Sequence, residues 1–250
     1  MNQTLIYAHR GANREAAENT RAAFERALAY PIDGIETDVQ LSRDAVAVLW
    51  HDRYLNKLGL PRKHIDDYDY AELCTLDFAQ HFAGAAPQQV VTLQAFLAAY
   101  RARCRLLLEI KNRLWEQPAR REQKIEQALQ LVGDAGDDVL VSSFHLASLD
   151  YAQRIAPRFP LVYNLEPTQG LGDVKQALAR HPYLHGLCLH ISTLDEATVD
   201  FLRVWKKSIA VYTCNSDEEI GRALRLGVDI LISDLPQKAL QLRDALARGG

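Results

Sequence analysis

Hydrophobic positions along the chain follow two alternating rhythms. Short β-prone apolar runs recur at residues 5–8, 32–36, 106–111, 139–144, 161–165, 186–190, 209–214 and 229–233. Between them, apolar residues return every three to four positions, the period of a helix with one buried face. Phe24, Ala27 and Leu28 form one such stripe, and Leu93, Phe96, Leu97 and Tyr100 another. Several helix starts are marked. Asn19 or Thr20 caps the first helix and Thr92 a later one, while Pro118 and Pro236 suit first helical turns. Ser216-Asp217-Glu218-Glu219 reads as a capping box whose helix is closed by Gly227. Further helices are expected from about Leu146, Gly172 and Asp195, and Pro31 stops the first.

A strand, a helix and a parallel strand, repeated until eight core strands have been laid down in 250 residues, predict an α/β fold. The expected form is a (β/α)₈ TIM barrel, one catalytic domain over residues 1–250. No GxGxxG or phosphate-loop sequence supports an open doubly wound sheet.

Two stretches depart from the rhythm. Residues 34–52, GIETDVQLSRDAVAVLWHD, read as two β-rich arms around a polar turn, a hairpin extending from the barrel. A turn centred between Arg43 and Asp44 would put Glu36 opposite His51 and Asp38 opposite Leu49. Residues 53–89 lack a sustained period and read as a small insertion with one short helix near residues 70–76. Following the hairpin at the active rim, the insertion is expected to lie over the pocket and select substrate.

Composition narrows the partners. With 29 basic against 32 acidic residues and a net charge of −3, nothing favours nucleic acid or an anionic membrane. A small-molecule substrate is expected, with no stable membrane association and a monomer or homodimer. Cys74, Cys104, Cys188 and Cys214 have no zinc or CxxC spacing. There is neither an apolar run of membrane-spanning length nor a leader pattern, so a soluble cytoplasmic protein is expected.

Active sites of such barrels lie at the carboxyl ends of the strands. That rim would collect His9, Arg10, Glu36, Asp38, Glu109, Lys111, Ser143, His190, Tyr212 and Asn215. Glu36 and Asp38 share one strand face, and Glu109 and Lys111 end an otherwise apolar run where an unpaired charge would cost several kcal/mol. Three converging carboxylates would offer oxygen ligands to one divalent metal ion, magnesium or calcium. Arg10 and Lys111 would add positive charge suited to a phosphate, with His9 and His51 flanking it. His190 is a weaker candidate for substrate contact, and Tyr212 reads first as pocket wall.

The segments AHRGANREAAENTRAAF, IETDVQLSRDAVAVLWHD, LLLEIK and VYTCNSDEEIGRALRLGVDILISDLP together resemble the glycerophosphodiester phosphodiesterase family, a branch of the phospholipase-C-like phosphodiesterases. The resemblance implies metal-dependent hydrolysis of glycerophosphodiesters to sn-glycerol 3-phosphate and an alcohol such as choline or ethanolamine. It implies a metal held by Glu36, Asp38 and Glu109, His9 and His51 as the acid–base pair, and Arg10 and Lys111 on the phosphate. Ala17, Ala45 and Tyr212 stand where the family usually has proline, a turn glycine and tryptophan. The alternatives are a lysophospholipase D-type activity or a phosphate-ester-binding barrel without catalysis.

Overall fold

Alternation along each strand decides what enters the barrel and what faces the helices. In the computed structural model, which describes residues 3–113, 115–134, 136 and 138–249, the elements follow one another as the hydrophobic rhythm requires. They are β1 (Leu5–His9), α1 (Arg21–Leu28), β2 (Gly34–Leu41), β3 (Ala47–Leu49), α2 (Tyr70–Leu73), α3 (Leu93–Tyr100), β4 (Arg105–Ile110) and α4 (Pro118–Val132). There follow β5 (Val139–Ser143), α5 (Leu146–Ile155), β6 (Leu161–Asn164), α6 (Leu171–Arg180), β7 (Gly186–His190), α7 (Glu196–Val204), β8 (Ser208–Tyr212), α8 (Asp217–Arg225), β9 (Ile230–Ser233) and α9 (Pro236–Gly249). Among the described residues, eight parallel strands close through β1–β2 and β1–β9 pairing, and β3 is added antiparallel at the edge of β2. The (β/α)₈ barrel is therefore present.

Two cores follow from the alternation. Ile6, Ile35, Leu106, Leu108 and Val141 point outward into the layer shared with the helices. Tyr7, Leu107, Leu140, Val162, Cys188, Ala210 and Ile230 point inward and fill the barrel. Each inward column continues upward by two residues, from Tyr7 to His9, Leu107 to Glu109, Cys188 to His190 and Ala210 to Tyr212. The same geometry that packs the interior thus delivers polar side chains to its carboxyl end. Gly34 makes room below: a Cβ there would lie 2.6 Å from the Tyr7 ring.

The hairpin register differs from the expected one. β2 and β3 pair Val39 with Leu49 and Leu41 with Ala47, and Trp50 N–H donates to Asp38 O at 3.0 Å, so Asp38 faces Trp50 rather than Leu49. The cause lies in the turn. Ser42 N–H donates to Val46 O, and Ala45 adopts the left-handed conformation (φ 65°), which inserts one more residue than a turn centred between Arg43 and Asp44 would. His51 reaches the rim because the chain leaves the strand after Leu49, not through pairing with Glu36.

Residues 53–89 hold two short 3₁₀ turns, Asn56–Leu58 and Ile65–Asp67, besides α2. Their apolar side chains Leu55, Leu58, Ile65, Leu73 and Phe78 join Val48 and Trp50 in a satellite core on the outer side of the hairpin. Thr20, rather than Asn19, caps α1. Among the described residues no helix is long and apolar enough to cross a membrane.

Candidate active site

Glu36, Asp38 and Glu109 are buried, and each contributes an oxygen to a group whose atoms lie within 4.8 Å of one another. Parallel pairing of β2 with β4 sets Asp38 beside Glu109. Such crowding of like charge needs compensation. Burial, then the charges of Asp38 and Glu109, push the Glu36 carboxyl well above its ordinary range. Asp38 responds oppositely: against the cost of burial, Arg10 and Lys111, then His51 and the Asn19 amide, hold it well below that range. Arg10 Nε lies 3.1 Å from Asp38 Oδ2, and Lys111 Nζ lies 2.6 Å from Glu109 Oε1 and 3.5 Å from Asp38 Oδ1. Asn19, itself held by the Thr37 hydroxyl, donates to Asp38 Oδ2 at 2.9 Å.

The trio fits a hard divalent cation. All its donors are carboxylate oxygens, and the buried Asp38 Oδ1 has no hydrogen-bond partner. A cation there would also relieve the repulsion that raises Glu36.

Each histidine is anchored through one ring nitrogen. His9 Nδ1 lies 2.6 Å from Asp234 Oδ1, and its Nε2 lies 3.9 Å from Glu36 Oε2. Asp234 also accepts from Asn13, Arg14 and Asn215. Burial, then the Arg10 charge, lower the His9 pKa, with Asp234 opposing them. His51 Nδ1 lies 2.8 Å from Asp52 Oδ1. A carboxylate at Nδ1 fixes the proton there and leaves Nε2 as the acceptor. His51 and the predicted Arg10, Glu36, Asp38, Glu109, Lys111 and His9 therefore gather at one end of the barrel.

A cleft of about 550 Å³ adjoins this group, lined by His51, Glu109, Lys111, Arg113, Phe144, His190 and Tyr212 among others. His190 is on its wall, with Nδ1 engaged by the Ser192 hydroxyl at 2.7 Å. The Tyr212 hydroxyl donates to Leu165 O at 2.6 Å, and the ring packs edge-on against His190 and Phe144. Tyr212 thus presents its ring to the cleft. Ser143 lies on the cleft wall with its hydroxyl donating to Ile110 O, whereas Asn215 serves Asp234 rather than the cleft. A larger hollow, about 650 Å³, lies at the opposite end among Leu5, Tyr7, Arg105 and Lys207, and contains none of the predicted residues.

Several participants were not singled out from the sequence. Asp234 lies in the quoted GVDILISDLP segment, yet its partner His9 is 225 positions away. Asp52 follows His51 directly, which was a local signal. Glu18 lies in the quoted AHRGANREAAENTRAAF segment. Lys57, and Arg113 and His145 on the cleft wall, carried no signal.

The chain matches the glycerophosphoryl diester phosphodiesterase family over residues 9–238. It is 32% identical over 251 residues to a glycerophosphodiester phosphodiesterase of Bacillus altitudinis, covering 97% of this chain and 99% of that one. Among solved structures, an Oleispira antarctica phosphodiesterase in complex with the product sn-glycerol-3-phosphate superposes with a TM-score of 0.84 at 26% identity, covering 97% of both chains. A putative glycerophosphoryl diester phosphodiesterase from Silicibacter pomeroyi shares the fold at a TM-score of 0.85 and 22% identity, covering 99% of this chain and 95% of that one. This chain belongs to the glycerophosphoryl diester phosphodiesterase family, whose members are phosphoric diester hydrolases.

Proposed function

We propose that the protein hydrolyses glycerophosphodiesters to sn-glycerol 3-phosphate and an alcohol such as choline or ethanolamine. Glu36, Asp38 and Glu109 hold one divalent cation, magnesium or calcium, and His9 and His51 exchange protons with the substrate. The observation that carries this reading is the pairing of two imidazoles, each tied through Nδ1 to its own carboxylate, beside a buried trio of carboxylates. A binding module has no use for two oriented proton carriers. That the Oleispira antarctica relative was solved with sn-glycerol-3-phosphate supports the product assigned here.

When bound, the cation supplies a Lewis acid that neutralises phosphate charge and makes a neighbouring hydroxyl more acidic. The remaining steps belong to side chains. Arg10 and Lys111 bring fixed cationic groups to the phosphate, their charge sustained by Asp38 and Glu109. One histidine accepts at Nε2 the proton of the glycerol hydroxyl that attacks phosphorus. The other, starting as the imidazolium with its Nδ1 proton held by its own carboxylate, donates its Nε2 proton to the departing alkoxide oxygen as the P–O bond breaks. The cyclic phosphate so formed is opened by water, with the two imidazoles reversing roles and returning to their starting protonation. His190 and the Tyr212 ring form the wall against which the substrate lies.

The test is turnover of sn-glycero-3-phosphocholine and sn-glycero-3-phosphoethanolamine with and without a chelator, followed by readdition of magnesium or calcium. Cation-dependent release of sn-glycerol 3-phosphate is expected. Turnover indifferent to chelation, or absent with both substrates and both metals, would overturn the proposal.

A further inference from the structure

The 3₁₀ turn Asn56–Leu58 is pinned from below. Leu55 and Leu58 are buried in the satellite core, which leaves Lys57 between them facing the rim. Its Nζ lies 2.7 Å from Glu18 Oε1 and 3.1 Å from Asp52 Oδ2. Both carboxylates use their other oxygen on a residue of the proposed machinery: Glu18 Oε2 lies 3.1 Å from Arg10 Nη1, and Asp52 Oδ1 lies 2.8 Å from His51 Nδ1. One ammonium therefore stands at the root of two chains, one leading to the phosphate-binding guanidinium and one to an acid–base imidazole.

We propose that Lys57 is a positioning residue that acts through Asp52 on His51 and through Glu18 on Arg10. The inference rests on the roles given above to His51 and Arg10.

The chemistry of the cluster argues for this. Ligand atoms of Glu18, His51 and Asp52 lie within 4.8 Å of one another, so without a cation two carboxylates would repel and rotate toward water. Lys57 is that cation, and its presence makes this second acidic group an ion-pair network rather than a metal site. An ammonium with three donors can hold two carboxylates at once and leave an oxygen of each free for a second partner. Burial works against the Lys57 charge, but Glu18 and then Asp52 outweigh it and raise its pKa. Lys57 comes from residues 53–89, so that segment would serve the reaction through this side chain.

The test compares Lys57→Met and Lys57→Arg with the wild type, and with Asp52→Asn alone and combined with Lys57→Met. For sn-glycero-3-phosphocholine, Lys57→Met is expected to lower kcat tenfold or more with KM changed less than threefold. Lys57→Arg should recover most of the rate. The double variant should be little slower than the slower single one. Additive losses, or a Lys57→Met kcat equal to wild type, would overturn the proposal. A readout independent of turnover is the ¹⁵N imidazole spectrum of His51. It should show the Nδ1–H tautomer in the wild type and a tautomer mixture in Lys57→Met; identical spectra would overturn the proposal. An inert wild type would reject the assigned substrate, and the imidazole spectra would still decide the role of Lys57.

Discussion

At the residue scale, alternation made the buried carboxylates readable. Glu36 and Asp38 had to share a face, and Glu109 and Lys111 had no structural reason to end an apolar strand. What alternation cannot show is an added residue in a turn. Ala45 takes φ 65° with no glycine to announce it, and the hairpin pairing moves by one. An L-residue in that region carries strain that glycine lacks, so Ala45→Gly is expected to stabilise the fold by about 0.5–1 kcal/mol. That corresponds to a thermal midpoint roughly 1–4 °C higher. An unchanged or lower midpoint would contradict the turn geometry. Asp234 was hidden for another reason, since its partners His9 and Asn13 come from the far end of the chain. Despite burial, His9, Asn13 and Arg14 hold its carboxyl well below the ordinary range. In acid the folded state thus binds fewer protons at this site than the unfolded chain. The resulting stability is complete above about pH 5 and fades as pH falls through the unfolded and then the folded pKa. Asp234→Asn should lower the urea midpoint at pH 7 and make its decline toward pH 3 shallower. Parallel declines in the two proteins would remove Asp234 from this role.

At the scale of elements, every strand of the barrel and most helix starts were legible, because each buries one face at its own period and begins with a recognisable cap. Ser216 and Glu219 form the expected capping box, and Thr92 caps α3. Residues 53–89 were legible only as an interruption. Their satellite core is assembled from single apolar residues on irregular turns, Leu55, Ile65, Leu73 and Phe78, which leave no period to detect. The expectation that this segment roofs the pocket needs restating, since none of the residues lining the cleft comes from it. Its reach into the site runs through Lys57 and through Asp66, whose carboxylate lies 2.6 Å from Nη1 of Arg113 on the cleft wall. We infer that it selects substrate through the placement of Arg113. Replacing residues 53–89 with a short Gly/Ser linker should leave a folded barrel of lower thermal midpoint, because Val48 and Trp50 lose their cover. The ratio of kcat/KM for the choline and ethanolamine esters should change by up to roughly tenfold. An unchanged ratio in a well-folded deletion would exclude a selective role.

For the whole molecule, one arrangement is decisive: a barrel whose carboxyl rim gathers three carboxylates, two cationic groups and two anchored imidazoles. Fold and family follow from the strand rhythm and the comparison with relatives, while the roles proposed for individual residues are argued from geometry. His9→Ala and His51→Ala should each lose about 10²–10⁴-fold in kcat yet keep the stabilisation given by a divalent cation. The central claim is that Glu36, Asp38 and Glu109 form one cation site on which turnover depends. The most direct measurement follows sn-glycerol 3-phosphate release from sn-glycero-3-phosphocholine, and the thermal midpoint with and without magnesium or calcium, in the wild type and in Glu36→Gln, Asp38→Asn and Glu109→Gln. The wild type is expected to turn over and to be stabilised by the cation, and each variant to stay folded while losing both properties together. A folded variant of any of the three that kept near-normal turnover and the cation-induced shift would contradict it.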